Sequence, residues 1–147
     1  MSRTCILVVD DDPDLRSVLQ ERLTYRGYRV ETAENGHDAL TKLDLAVFDG
    51  VLLDYMMPGI TGVAVLQHIR QHCPLLPVVM MTGETSSQVA AQARAAGARA
   101  CLLKPFDQEG VGTSGAVLVR HGGISLVVAR MTTTERNRST PRETHWH

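Results

Sequence analysis

Cys5-Ile6-Leu7-Val8-Val9-Asp10-Asp11-Asp12-Pro13 runs from five apolar residues straight into three carboxylates and a proline. The apolar part has the length of a strand. The carboxylates at its end repel one another and raise one another's pKa unless a cation or hydrogen-bond donors offset the charge, which points to a metal site. Two further strand-length runs end on charge: Val51-Leu52-Leu53 on Asp54, and Ala100 to Leu103 on Lys104-Pro105. In an open parallel sheet such ends share one edge, the crevice where ligands bind, so residues distant in sequence converge there.

Outward from these runs, short apolar segments alternate with segments of helical period, a pattern that implies βα units and a parallel sheet. Asp12 caps a helix that has Pro13 at its first position and Leu15, Val18, Leu19 and Leu23 at helical spacing, with Gly27 as its stop. Arg29 to Ala33 alternates weakly and reads as an edge strand. Asn35-Gly36 then turns into a short helix with Ala39, Leu40 and Leu43 inward. After the third strand, Pro58-Gly59 and Gly62 read as a loop, and Val63, Leu66 and Ile69 form the next apolar stripe, closed by Pro74. Val78 to Met81 is the fourth strand, Thr85-Ser86-Ser87-Gln88 has capping-box spacing at the head of an alanine-rich helix, and Gly97 ends that helix.

The chain has 147 residues, enough for one domain with a sizeable core. A net charge of −1 gives no general attraction to nucleic acid or membrane, although Arg130, Arg136, Arg138 and Arg142 make the last stretch locally basic. Cys5, Cys73 and Cys101 form no CxxC, and two of them lie in apolar runs, as reduced thiols do. No apolar stretch approaches transmembrane length and no signal peptide is recognisable, so a cytoplasmic location is expected. The six histidines, among them His37, His68, His72 and His121, read as surface residues without metal-ligand spacing.

Leu7-Val8-Val9-Asp10-Asp11-Asp12-Pro13, Leu53-Asp54-Tyr55-Met56-Met57-Pro58-Gly59, Met81-Thr82-Gly83 and Leu103-Lys104-Pro105-Phe106, in that order and at successive strand ends, resemble the receiver domains of two-component response regulators, the CheY-like superfamily. The resemblance implies an α/β fold: a doubly wound, flavodoxin-like parallel sheet of five strands in the order 2-1-3-4-5. It implies Asp54 as phosphoacceptor, and Asp10, Asp11, Asp54 and the backbone carbonyl of Met56 as ligands of Mg2+. Lys104 would supply positive charge to the phosphoryl oxygens, and Thr82 would donate its hydroxyl to them. The Lys104-Pro105 bond is often cis in the family. The implied partners are a histidine kinase or phosphotransfer protein and a downstream protein target, with no direct nucleic-acid or membrane binding. The implied role is regulatory and not that of an enzyme.

The likeness spans residues 4–107 as a receiver core. Residues 108–131 form an atypical ending in which Gly110, Gly112, Gly115, Gly122 and Gly123 oppose a helix by about 1 kcal/mol each when interior. Val117 to Val119 and Ile124 to Val128 read instead as a hairpin across His121-Gly122-Gly123, and residues 132–147 as a disordered tail. Cys101 stands where the family commonly has an aromatic residue, so activation is expected to rest on Thr82 and the loop after it. Asp12 is assigned to capping, and Met80 and Met81 to packing. A flavin carrier on the same fold is disfavoured because Asp10 to Asp12 would repel the flavin phosphate. A metal-dependent phosphatase lacks an assignable general acid. A degenerate receiver that only binds protein is the alternative reading.

Overall fold

The computed structural model describes residues 4–83 and 87–104. The hairpin, the tail, the Lys104-Pro105 bond, Glu84 and the first two residues of the capping box lie outside the described residues. Within them the elements alternate strictly: β1 (Cys5–Val9), α1 (Pro13–Tyr25), β2 (Arg29–Ala33), α2 (Gly36–Leu45), β3 (Gly50–Asp54), α3 (Gly62–His72), β4 (Val78–Thr82), α4 (Ser87–Ala95) and β5 (Ala100–Leu103). All neighbouring strands pair in parallel, in the order β2-β1-β3-β4-β5. This is the doubly wound sheet expected from the sequence.

The period of two in a strand divides the apolar runs between the two faces of the sheet. Leu7, Val9, Val51, Leu53, Val78, Met80 and Cys101 belong to one core with residues of α2, α3 and α4. Ile6, Val8, Leu52, Val79, Met81, Ala100 and Leu102 belong to the other, where Leu19 and Leu23 of α1 pack. Both faces are covered, which is why the inner strands carry no polar alternation. Each large side chain fully buried here contributes about 1.5–3 kcal/mol of transfer free energy. β2 is half-exposed along most of its length, as its weak alternation predicts for an edge.

Caps set the helix phases. Asp12 Oδ1 accepts from the amides of Asp14 (2.9 Å) and Leu15 (3.5 Å), Asn35 Oδ1 from Asp38 (2.8 Å), and Thr61 Oγ1 from Ala64 (3.2 Å). Gly27 at φ 98° and Gly97 at φ 108° follow the ends of α1 and α4 in the left-handed region that a side chain disfavours.

Three local expectations are corrected. Val18 is 40% exposed, because the buried stripe of α1 runs along the i, i+4 line of Leu19 and Leu23 and leaves Val18 beside it. On α3, Val65 is buried with Leu66 and Ile69, whereas Val63 is only partly covered. Gly62 is the first residue of α3 and not a loop residue. It lies so close under β3 that a Cβ there would stand 2.1 Å from the carbonyl oxygen of Asp54.

Candidate functional site

The strand registers bring the charges together. Val9 lies beside Leu53, so Asp10 leaves β1 level with Asp54; Thr82 lies beside Leu103, so Lys104 leaves β5 one residue further on. Lys104 Nζ stands 2.9 Å from Asp10 Oδ2 and 3.0 Å from Asp54 Oδ1. Its backbone amide donates to Thr82 O at 2.7 Å, which anchors the end of β5 on β4. Asp10 is 0% exposed, Asp54 3% and Thr82 4%, whereas Asp11 projects into solvent. Asp10, Asp54, Thr82 and Lys104 thus meet at one sheet edge with Asp11 at its rim. Met56 stands two residues after Asp54 and carries an exposed side chain.

The electrostatics are those of a cation shared twice. Burial pushes the Asp54 carboxyl up to about 6, and the neighbouring charge of Asp10 pushes the same way. The hydrogen bond and charge of Lys104 and the backbone amide of Met56 pull it down without prevailing. Burial works against the charge on Lys104, yet the two carboxylates beside it outweigh that cost and hold its pKa above the usual lysine value. An ordinary ion pair would lower its acid and raise its base. Here the base gains two partners, while Asp54 shares its ammonium with a second carboxylate and loses its water.

Asp10 is held by its neighbours on its other sides. Its Oδ1 accepts from the amide of Asp12 at 2.9 Å, and its backbone carbonyl accepts from Arg16 Nη1 at 2.7 Å. Its Oδ2 is fully buried and, although Lys104 is near, receives no well-aligned hydrogen bond. Asp10, Asp11 and Asp54 each offer a carboxylate oxygen, all within 4.8 Å of one another. Three ionised carboxylates against one ammonium leave two negative charges uncompensated, in a set made only of hard oxygen donors. Such a set, with one buried oxygen lacking an aligned donor, suits a small divalent cation. The residues present fit Mg2+.

Four features were not legible in the sequence. Arg16 on the Asp10 carbonyl, and the Tyr55 hydroxyl donating to Gln92 Oε1 at 2.6 Å, join residues that no motif connects. The role of Gly62 under Asp54 could have been suspected from a glycine heading a helix just after a strand end. His68 and His72 stand one helical turn apart with stacked rings, a pairing that the sequence reading passed over.

A family model described as response regulator receiver domain matches residues 6–113. The chain is 41% identical over 107 residues to the DNA-binding transcriptional regulator NtrC of Salmonella typhimurium, a match covering 73% of this chain and 23% of that protein. It is 43% identical over 102 residues to the transcriptional regulatory protein ZraR of the same organism, covering 69% of this chain and 23% of ZraR. The chain therefore spans less than a quarter of the length of these curated relatives. Among solved structures, the response regulator protein TrrA from Thermotoga maritima in complex with Mg2+-BeF superposes with a TM-score of 0.65 at 36% identity, covering 71% of this chain and 89% of that one. Vibrio cholerae chemotaxis protein CheY4 superposes at 0.69 with 35% identity, covering 72% and 90%. The chain belongs to the receiver domains of two-component response regulators.

Proposed function

We propose that this receiver domain takes a phosphoryl group onto Asp54 from a histidine kinase or phosphotransfer protein, with Mg2+ held by Asp10, Asp11, Asp54 and the backbone carbonyl of Met56. An oxygen of Asp54 attacks phosphorus as the bond to the donor nitrogen breaks in line, leaving an acyl phosphate on Asp54 and the donor histidine free. The ammonium of Lys104, which contacts the Asp54 carboxylate at 3.0 Å, turns to the arriving phosphoryl oxygens. The hydroxyl of Thr82, on the neighbouring strand, donates to one of them. Bound Mg2+ offsets the repulsion between the attacking carboxylate and the phosphoryl oxygens.

The observation that carries this reading is the 3 Å convergence of the buried Asp10 and Asp54 on the partly buried Lys104, from three separate strand ends. Burial keeps water from competing for the carboxylate, and a value near 6 leaves Asp54 ionised, hence nucleophilic, at neutral pH. The Mg2+-BeF complex of the TrrA relative adds support.

The test is incubation with Mg2+ and acetyl phosphate, read by intact mass. The expected result is a gain of one phosphoryl group that is lost in Asp54→Asn. An undiminished gain in that variant overturns the assignment, and no gain in the parent chain favours a domain that only binds protein.

A further inference from the structure

We propose that His68 and His72 form a second cation site, for a borderline divalent transition metal such as Zn2+, on the outer side of α3. The rings lie one helical turn apart, with centroids 4.1 Å apart and planes inclined by 22°. Residues at i and i+4 keep their Cβ atoms about 5–6 Å apart, the span two imidazoles bridge when they share a metal. His72 Nδ1 is 2.9 Å from the carbonyl oxygen of His68. A carbonyl only accepts, so Nδ1 carries the hydrogen, and in the neutral ring the lone pair is on Nε2.

The surroundings favour a cation. His72 lies in the last turn of α3, with His68 one turn before it, near the helix end that carries a partial negative charge. Arg70, the nearby positive group on the same helix, directs its guanidinium to the carbonyls of Pro74 and Leu76. Imidazole nitrogens prefer Zn2+, Ni2+ and Cu2+ to Mg2+, so the site does not compete with the all-oxygen cluster around Asp54. Among the described residues only the aspartate cluster supplies three donors within 4.8 Å of one another. The histidine pair is thus a two-point site completed by water, suited to exchange its metal and to staple the end of α3 while bound.

The test is a Zn2+ titration of the full chain in saturating Mg2+, followed by calorimetry and by nitrogen chemical shifts of the imidazoles. The expected result is that the Nε2 signals of His68 and His72 move together. His68→Ala and His72→Ala should each weaken binding on the order of a hundredfold, because each removes the second, intramolecular contact. Unchanged melting temperatures without metal would show that both variants fold. Retained affinity in either variant overturns the proposal, as does movement of the His37, His121, His145 or His147 signals in place of this pair. Cys73 adjoins the site as an exposed thiol, so loss of binding in Cys73→Ser with retention in His68→Ala also overturns it.

Discussion

β3 has an aspartate at each end: Asp49 just before its first residue and Asp54 as its last. Asp49 is exposed, and its Oδ2 accepts from the amide of Cys5 at 2.8 Å. It stands on the rim of an open apolar recess of about 420 Å3 lined by Leu43, Val47, Phe48 and Leu75. Asp54 is buried beside a second carboxylate and an ammonium. The same side chain, on the same strand, closes the sheet's hydrogen bonding at one end and is primed for chemistry at the other. What separates them is the company that parallel strands deliver: successive C-terminal ends bring Asp10, Thr82 and Lys104 to Asp54, while the ends around Asp49 bring backbone amides and apolar loops.

The largest expected contrast is in phosphotransfer. Asp54→Asn should lose all incorporation of phosphoryl from acetyl phosphate, and Asp49→Asn should keep it; intact mass reads both, and the reverse pattern would dissolve the comparison.

The next contrast is in stability with EDTA present. Raising a buried carboxyl from 3.8 to about 6 corresponds, at 1.36 kcal/mol per unit, to about 3 kcal/mol against the ionised form. The sign follows from protons bound: the folded state holds the Asp54 proton more tightly, so this group destabilises progressively as pH rises from about 4 to 6 and fully above. Asp54→Asn should therefore be more stable than the parent at pH 7 by up to about 3 kcal/mol, with the gap closing towards pH 4. Denaturant midpoints across that range measure it, and a constant gap would show that burial is not the cause.

A third test concerns the backbone that holds Asp54. Gly62→Ala puts a methyl into the Asp54 carbonyl, which should cost about 2–3 kcal/mol and slow phosphotransfer by moving the carboxylate. Asp49→Ala, by comparison, should cost about 1 kcal/mol or less, since water can replace its one exposed acceptor.

The smallest effect is expected of Tyr55→Phe, which removes the exposed bond to Gln92. It should cost under about 1 kcal/mol, leave phosphotransfer intact and shift the amides of α4. Slower phosphotransfer would make Tyr55 part of the phosphoacceptor end itself.

Which of these features could be read in advance follows from how far each interaction reaches along the chain. The apolar runs betray the strands because each residue is covered on one face or the other, and Asp10, Asp54 and Lys104 are visible because each directly follows or ends such a run. Asn35 and Gly27 act within four residues, so their caps are legible too. Val63 and Val65 could not be ordered, since a helical stripe fixes spacing but not phase until Thr61 is known to cap α3. Gly62 against Asp54, Arg16 against Asp10, Asp49 against Cys5 and Tyr55 against Gln92 depend on strand register and loop path, which no local pattern encodes.

The strand that delivers Lys104 is also the one with the fewest ties. β5 has four residues and, among the described residues, pairs with β4 alone. At about 5–20 residues per second, Asp10 and Asp54 leave the ribosome several seconds before Lys104 does. In the finished protein, fraying of this short edge withdraws the cation first, so hydrogen exchange at the Lys104 amide, bonded to Thr82 O, is a clock for how often Asp54 is left without it.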